Sequence, residues 1–137
     1  MRTETCTVSN KGELALVPIW KEKEDYVRKM LSEKLNSELK ERNVQLRGTN
    51  RGYKFDLVSP DGSIVGEVKT FTPRKLGKKP HGKIANTSEA CLFLMAAEGA
   101  KKRFLVLTDK EFYNIYMRQR QAKIAEASGI EIILVEC

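Results

Sequence analysis

The stretch Tyr53-Lys54-Phe55-Asp56-Leu57-Val58-Ser59-Pro60-Asp61-Gly62-Ser63-Ile64-Val65-Gly66-Glu67-Val68-Lys69 decides how this chain reads. β-branched and aromatic residues fill both halves, and the Asp61-Gly62 step between them tolerates positive φ, which makes it a hairpin turn. If Asp61 and Gly62 form a two-residue loop, Pro60 pairs with Ser63. Counting back along both strands then sets Asp56 opposite Glu67. Directly opposed residues share a face, with Cβ atoms about 4.5–5.5 Å apart. Lys69 lies two residues further on and projects to the same side. Phe55, Leu57, Ile64 and Val68 are expected on the other, apolar side.

Two carboxylates facing each other across a strand pair repel, and partial burial would push their pKa values upward. A divalent cation removes the conflict: Mg²⁺ prefers one or two carboxylates together with water and phosphate oxygens. An amine beside them could stabilise charge on an attacked phosphate or help deprotonate water. These are the parts of an in-line phosphodiester hydrolysis. The plain alternative is an exposed hairpin face carrying a cross-strand ion pair.

Outward from the hairpin, the pattern extends to an α/β fold. Upstream, Trp20, Val27, Leu31, Leu35 and Leu39 recur at helical spacing, predicting a surface helix from Pro18 to about Arg42. A short strand, Val44 to Arg47, follows, and residues 1–17 form a lead-in of uncertain structure. Downstream, Thr70 to Ala85 reads as a long loop. Asn86 with Glu89 resembles a capping box for a buried helix that ends before Gly99. Phe104 to Leu107 has the continuous apolar character of a doubly buried strand. Thr108 and Glu111 suggest another capping box, for a helix running to about Ser128, and Ile130 to Val135 is the last strand. The expected order is α-β-β-β-α-β-α-β, a mixed central sheet flanked by helices in one domain.

Composition narrows the function. Twenty-five Lys and Arg against 18 Asp and Glu give a net charge of +7, which suits a polyanionic partner. No apolar run approaches the roughly 18 residues of a membrane span. The first residues lack the apolar core of a secretory signal, so a cytoplasmic location is expected. Cys6, Cys91 and Cys137 match neither a disulfide framework nor a zinc spacing, and Cys91 reads as a core residue.

Asp56, ten intervening residues, then Glu67-Val68-Lys69 on the next strand resembles the PD-(D/E)XK nuclease family, which includes restriction endonucleases and Holliday-junction resolvases. The resemblance covers most of the chain, because the order α-β-β-β-α-β also fits. It implies a restriction-endonuclease-like core that hydrolyses DNA with Mg²⁺ or Mn²⁺. Asp56 and Glu67 would bind the metal, the Val68 carbonyl would add a ligand, and Lys69 would assist the nucleophile. Pro60-Asp61 spells the family's literal dipeptide but lies at the hairpin tip, where it is turn chemistry. Phe55 in place of proline before Asp56 is a departure. Many relatives direct an acid from the first helix at the metal; Glu24, on the apolar stripe, is the candidate here and Glu38 the reserve.

From Lys69 to Ser88 there is no acid. Arg74, Lys75, Lys78, Lys79 and Lys83, with His81 as a turn or phosphate-contact residue, are therefore expected to hold a DNA backbone. Arg51, Lys54, Lys101, Lys102 and Arg103 would extend that surface. A chain this short has little surface to grip two strands, so a homodimer is expected. A Holliday-junction-type resolvase and a non-catalytic nucleic-acid-binding module are the competing readings.

Overall fold

The computed structural model describes residues 3–5, 19–73 and 79–136. Five strands form a mixed sheet: β2 (Lys40–Gln45), β3 (Gly52–Val58), β4 (Ile64–Lys69), β5 (Lys102–Leu107) and β6 (Ile130–Glu136). A short β1 (Thr3–Thr5) adds to one edge, giving the order β1-β6-β5-β4-β3-β2. Strands β1, β6, β5 and β4 run parallel, while β3 and β2 are antiparallel to their neighbours. The expected α/β class and element order are observed, apart from the added β1 and one helix that is split in two.

Helix α1 (Ile19–Lys34) lies on one face of the sheet. Its Val27 and Leu31 pack with Leu39 against Leu57, Val68, Phe104, Val106 and Ile133. Trp20, read as part of that stripe, is 51% exposed. The helix ends well before Arg42 because Asn36 takes φ 50°. Ser37 N–H then donates to Ser32 O (3.0 Å) and Asn36 N–H to Glu33 O (3.3 Å). This is the Schellman arrangement, with asparagine tolerating the left-handed region. Lys40 is thereby released to start β2, earlier than the expected Val44.

On the opposite face lie α2 (His81–Ala96), α3 (Lys110–Met117) and α4 (Arg120–Ala127). They bury Ile84, Cys91, Leu94, Phe112, Tyr116, Ala122 and Ala125 against Phe55, Val58, Val65, Leu105, Leu107 and Leu134. Helix α2 starts at His81 and not at Asn86, because the buried positions Ile84, Thr87, Cys91 and Leu94 carry its inward stripe back one turn. Thr87 satisfies its buried hydroxyl on Lys83 O. The outer side of α2 is open, with Leu92 64% exposed, so this helix is not buried all round.

The cap of α3 is Asp109, whose carboxylate accepts from Phe112 N–H at 2.8 Å, and not Thr108. The expected single helix to Ser128 breaks at Arg118-Gln119. Gln119 adopts extended backbone (ψ 151°), and its side-chain amide donates to Ile115 O at 2.8 Å, satisfying a carbonyl exposed by the break.

Candidate active site

The hairpin turn places the site. Ser59 N–H donates to Ile64 O (3.0 Å) and Gly62 N–H to Ser59 O (2.9 Å), so four residues, not two, form the loop. Gly62 has φ 75°. Asp61 accepts from Ser59 Oγ, Ser63 N–H and Ser63 Oγ, and these bonds hold its pKa down at about 2. Asp61 is turn chemistry, as its position suggests. The longer loop preserves the register, since Leu57 pairs with Gly66 and Val58 with Val65, leaving Asp56 across from Glu67.

Regular pairing of β3 with β4 stops at Leu57. On the other side of β3, Lys40 pairs with Val58 but Arg42 with Phe55, so β3 carries an extra residue at Asp56-Leu57. This β-bulge reverses the alternation. Phe55 enters the core under α2, whereas Leu57 enters the core under α1, which corrects the expectation that both share a side. Gly66 makes room for the displaced Leu57; a Cβ there would lie 3.0 Å from Leu57 Cδ1 and 3.3 Å from Phe104 O.

A bulge and a forked strand pair forfeit ladder hydrogen bonds, and buried backbone groups need replacements. The catalytic candidates supply them. Asp56 N–H donates to Glu67 Oε1 at 3.0 Å, and Val68 N–H donates to Asp56 Oδ2 at 2.9 Å. Arg28 on α1 donates through Nε and Nη2 to Asp56 O, both at 3.2 Å. The two carboxyls thus fill the fork between β3 and β4.

Glu67 is buried, with Tyr53 Oη donating to its Oε2 at 2.9 Å. The Tyr53 ring is held for this by stacking on Phe93 of α2 (centroids 4.3 Å apart) and by edge contact with Phe55 (4.7 Å). Burial raises the Glu67 pKa and the neighbouring Asp56 raises it further. Asp56 is also raised, mainly by burial, although the Val68 N–H, Lys69 and a hydrogen bond with Glu67 act in the other direction. Two desolvated acids this close favour sharing a proton over ionising together.

The first-helix acid predicted from sequence reaches the same place. Oxygens of Glu24, Asp56 and Glu41 all lie within 4.8 Å of one another. Burial, then Asp56, raises the Glu24 carboxyl to about 7. The reserve Glu38 is exposed and pairs with Lys40 and Arg42.

Sequence reasoning missed Glu41, Tyr53 and Arg28. Glu41 was hidden because its segment was read as the end of a helix; the other two act only through the bulge and the fork. Lys69 ends β4 with its ammonium 5.7 Å from the Phe71 ring centroid, and it lowers both the Asp56 and Glu67 pKa values. Thr108 anchors this strand end through its N–H on Lys69 O (3.2 Å).

The donors are carboxylates, with no histidine or cysteine in the cluster, a set that suits a hard cation such as Mg²⁺ or Mn²⁺ rather than zinc. Of the ligands expected from sequence, Asp56 belongs to this cluster. Glu67 adjoins it through Asp56, and the Val68 amide binds Asp56.

The basic segment is only partly described: Arg74, Lys75 and Lys78 lie outside the described residues. Lys83 is tied to the Thr72 carbonyl, while His81 and Lys79 are exposed. Arg103, expected on a DNA surface, instead caps the end of α2 through Leu94 O (2.7 Å) and Ala97 O (3.1 Å). Among the described residues no helix is long and apolar enough to cross a membrane. No family model, curated protein or solved structure matches the chain.

Proposed function

We propose that this chain is a metal-dependent nuclease of the PD-(D/E)XK type, hydrolysing DNA phosphodiester bonds on a restriction-endonuclease-like core formed by α1, β2, β3, β4, α2 and β5. The observation that carries the proposal is the fork itself. Asp56 and Glu67 adjoin at the opening between β3 and β4, Glu24 arrives from α1, and Lys69 ends the same strand as Glu67. Raised carboxyls gathered in one place are costly in a purely structural role, and a divalent cation would relieve that cost.

Asp56, with Glu24 and Glu41, would hold Mg²⁺ or Mn²⁺, and Glu67 would join through its contact with Asp56. When bound, the ion supplies Lewis-acid stabilisation of the phosphate and a more acidic water. The chain's own residues do the rest. Val68 N–H orients the Asp56 carboxylate, while Tyr53 and the Asp56 amide orient Glu67. Lys69 contributes an ammonium to neutralise charge on the phosphate, or an amine to take a proton from water. Arg28 fixes the bulged carbonyl, so Asp56 keeps its aim.

The test is nicking of plasmid, junction and flap DNA with Mg²⁺ or EDTA, alongside Asp56→Ala and Lys69→Ala. Cleavage should require the cation and fall by about 100-fold or more in each variant. Equal activity in wild type and both variants would sink the proposal. A junction preference would select the resolvase reading, and binding without cleavage would select the non-catalytic module. The expected homodimer is read out by sedimentation of the free chain and of its DNA complex.

A further inference from the structure

A second feature lies on the α2–α4 side of the sheet, away from the acids. A groove of about 780 Å³ runs between Lys79 and the α3–α4 break, lined by Lys79, Arg118, Gln119, Arg120, Gln121 and Lys123 among others. Four cations converge there and no acid lines it. Among the described residues, the ion pairs all join positions 21 to 42, on α1, β2 and the turn between them. None of the groove cations therefore has an ion-pair partner among the described residues, and Lys123 makes a long contact to Met117 O (3.4 Å).

Arg118 and the Lys123 ammonium lie at the C-terminal end of α3, where the helix dipole offsets only part of the repulsion among four clustered cations. A polyanion would convert the repulsion into binding through release of condensed counterions. We infer that this groove is a docking site for the phosphodiester backbone of nucleic acid, seating several phosphates apart from the bond that is cut. It rests on the nuclease reading for the identity of the polyanion as DNA.

Three observations favour an extended backbone over a small anion or a lipid surface. The cations are spread along an open groove, and Arg118, Arg120 and Lys123 are exposed, as contacts that position without reading bases require. Gln121 adds an exposed amide group that can donate to phosphate oxygens, while the Gln119 amide is engaged on Ile115 O. Lys79 lies in the connection between β4, which ends at Lys69, and α2, so one groove cation and the candidate active site flank the same stretch of sequence.

The test measures binding of a labelled DNA duplex to the full chain by fluorescence anisotropy, in EDTA, across a salt series. Neutralising the groove with Arg118→Gln, Arg120→Gln and Lys123→Gln should weaken binding about tenfold or more. It should also reduce the slope of log affinity against log salt by about 2–3, since each lost phosphate contact removes about 0.9. Lys29→Gln with Lys34→Gln, exposed on α1 on the other face of the sheet, controls for net charge and should change the slope by less per charge removed.

An unchanged slope in the triple variant overturns the inference. So does an equal per-charge loss in the control, failure of wild type to bind duplex, or displacement of duplex by anionic vesicles. The two proposals separate cleanly. Cleavage by a triple variant with wild-type salt dependence removes the groove and leaves the nuclease, whereas groove-dependent binding by an inert wild type removes the nuclease and leaves the groove.

Discussion

Raising the pH should destabilise this protein in the absence of divalent cations, and adding Mg²⁺ should reverse the effect. Glu24 stands at about 7 when folded, against 4.5 for the free side chain, and Asp56 and Glu67 are raised as well. Between those values the folded chain retains protons that the unfolded chain has released. Stability is therefore fully present below the unfolded pKa and is lost as pH rises toward the folded one. A displacement from 4.5 to about 7 corresponds at its limit to about 3 kcal/mol. Glu24 keeps 14% of its side chain exposed and has Lys21 and Arg28 nearby, so solvent screening reduces its share to about 1–2 kcal/mol. Asp56 and Glu67 add to it with the same sign. Asp61, held at about 2, acts with the opposite sign but only below the ordinary carboxylate range, outside this window.

Urea unfolding in EDTA should thus show a loss of about 1–3 kcal/mol between about pH 5 and about pH 8. Excess Mg²⁺ should restore stability at the upper end, because it binds only the ionised, folded acids. Glu24→Gln should flatten the pH dependence and forfeit part of the Mg²⁺ gain. Stability that rises with pH across this window in EDTA, or is indifferent to Mg²⁺, would refute the reasoning, because it would mean the acids are not desolvated together.

Two further outcomes test the fork and the bulge. Gly66→Ala should cost about 1–3 kcal/mol of unfolding free energy, since its Cβ would press on Leu57 Cδ1 at 3.0 Å and on the Phe104 carbonyl at 3.3 Å. Combining it with Leu57→Val should recover part of the loss, and a neutral single variant would mean that Leu57 does not occupy that space. Tyr53→Phe keeps the ring stacked on Phe93 but removes the donor to Glu67 Oε2. It should cost about 1.5–3 kcal/mol where Glu67 is ionised and less where it is protonated. A cost that does not change with pH would show that the hydroxyl does not serve that carboxylate.

The amino-acid sequence carries most of the architecture because the signals involved are local. The alternation from Tyr53 to Lys69, the turn at Asp61-Gly62 and the doubly apolar Phe104 to Leu107 set the strands. The helical spacing around Val27 and Leu31 sets α1. Even the error in loop length left the register intact, since a four-residue loop from Pro60 to Ser63 brings the same residues opposite each other as a two-residue one. Glu24 was legible for a physical reason: an acid on an apolar helical stripe needs a partner, and the stripe states which way it faces.

What only the tertiary structure decided is the shape of the site. Phe55, Asp56 and Leu57 alternate like any strand, and nothing in that pattern announces that β3 gains a residue there relative to β2. The bulge depends on a space left by Gly66 and on Arg28, far away in the chain, accepting the role of partner to the Asp56 carbonyl. Glu41 joins the acids, and Tyr53 reaches Glu67, through the same distortion. Periodicity reports which face a residue prefers when its strand is regular. Where a strand bends to hold charged groups, the outcome is set by contacts between segments that the linear order keeps apart.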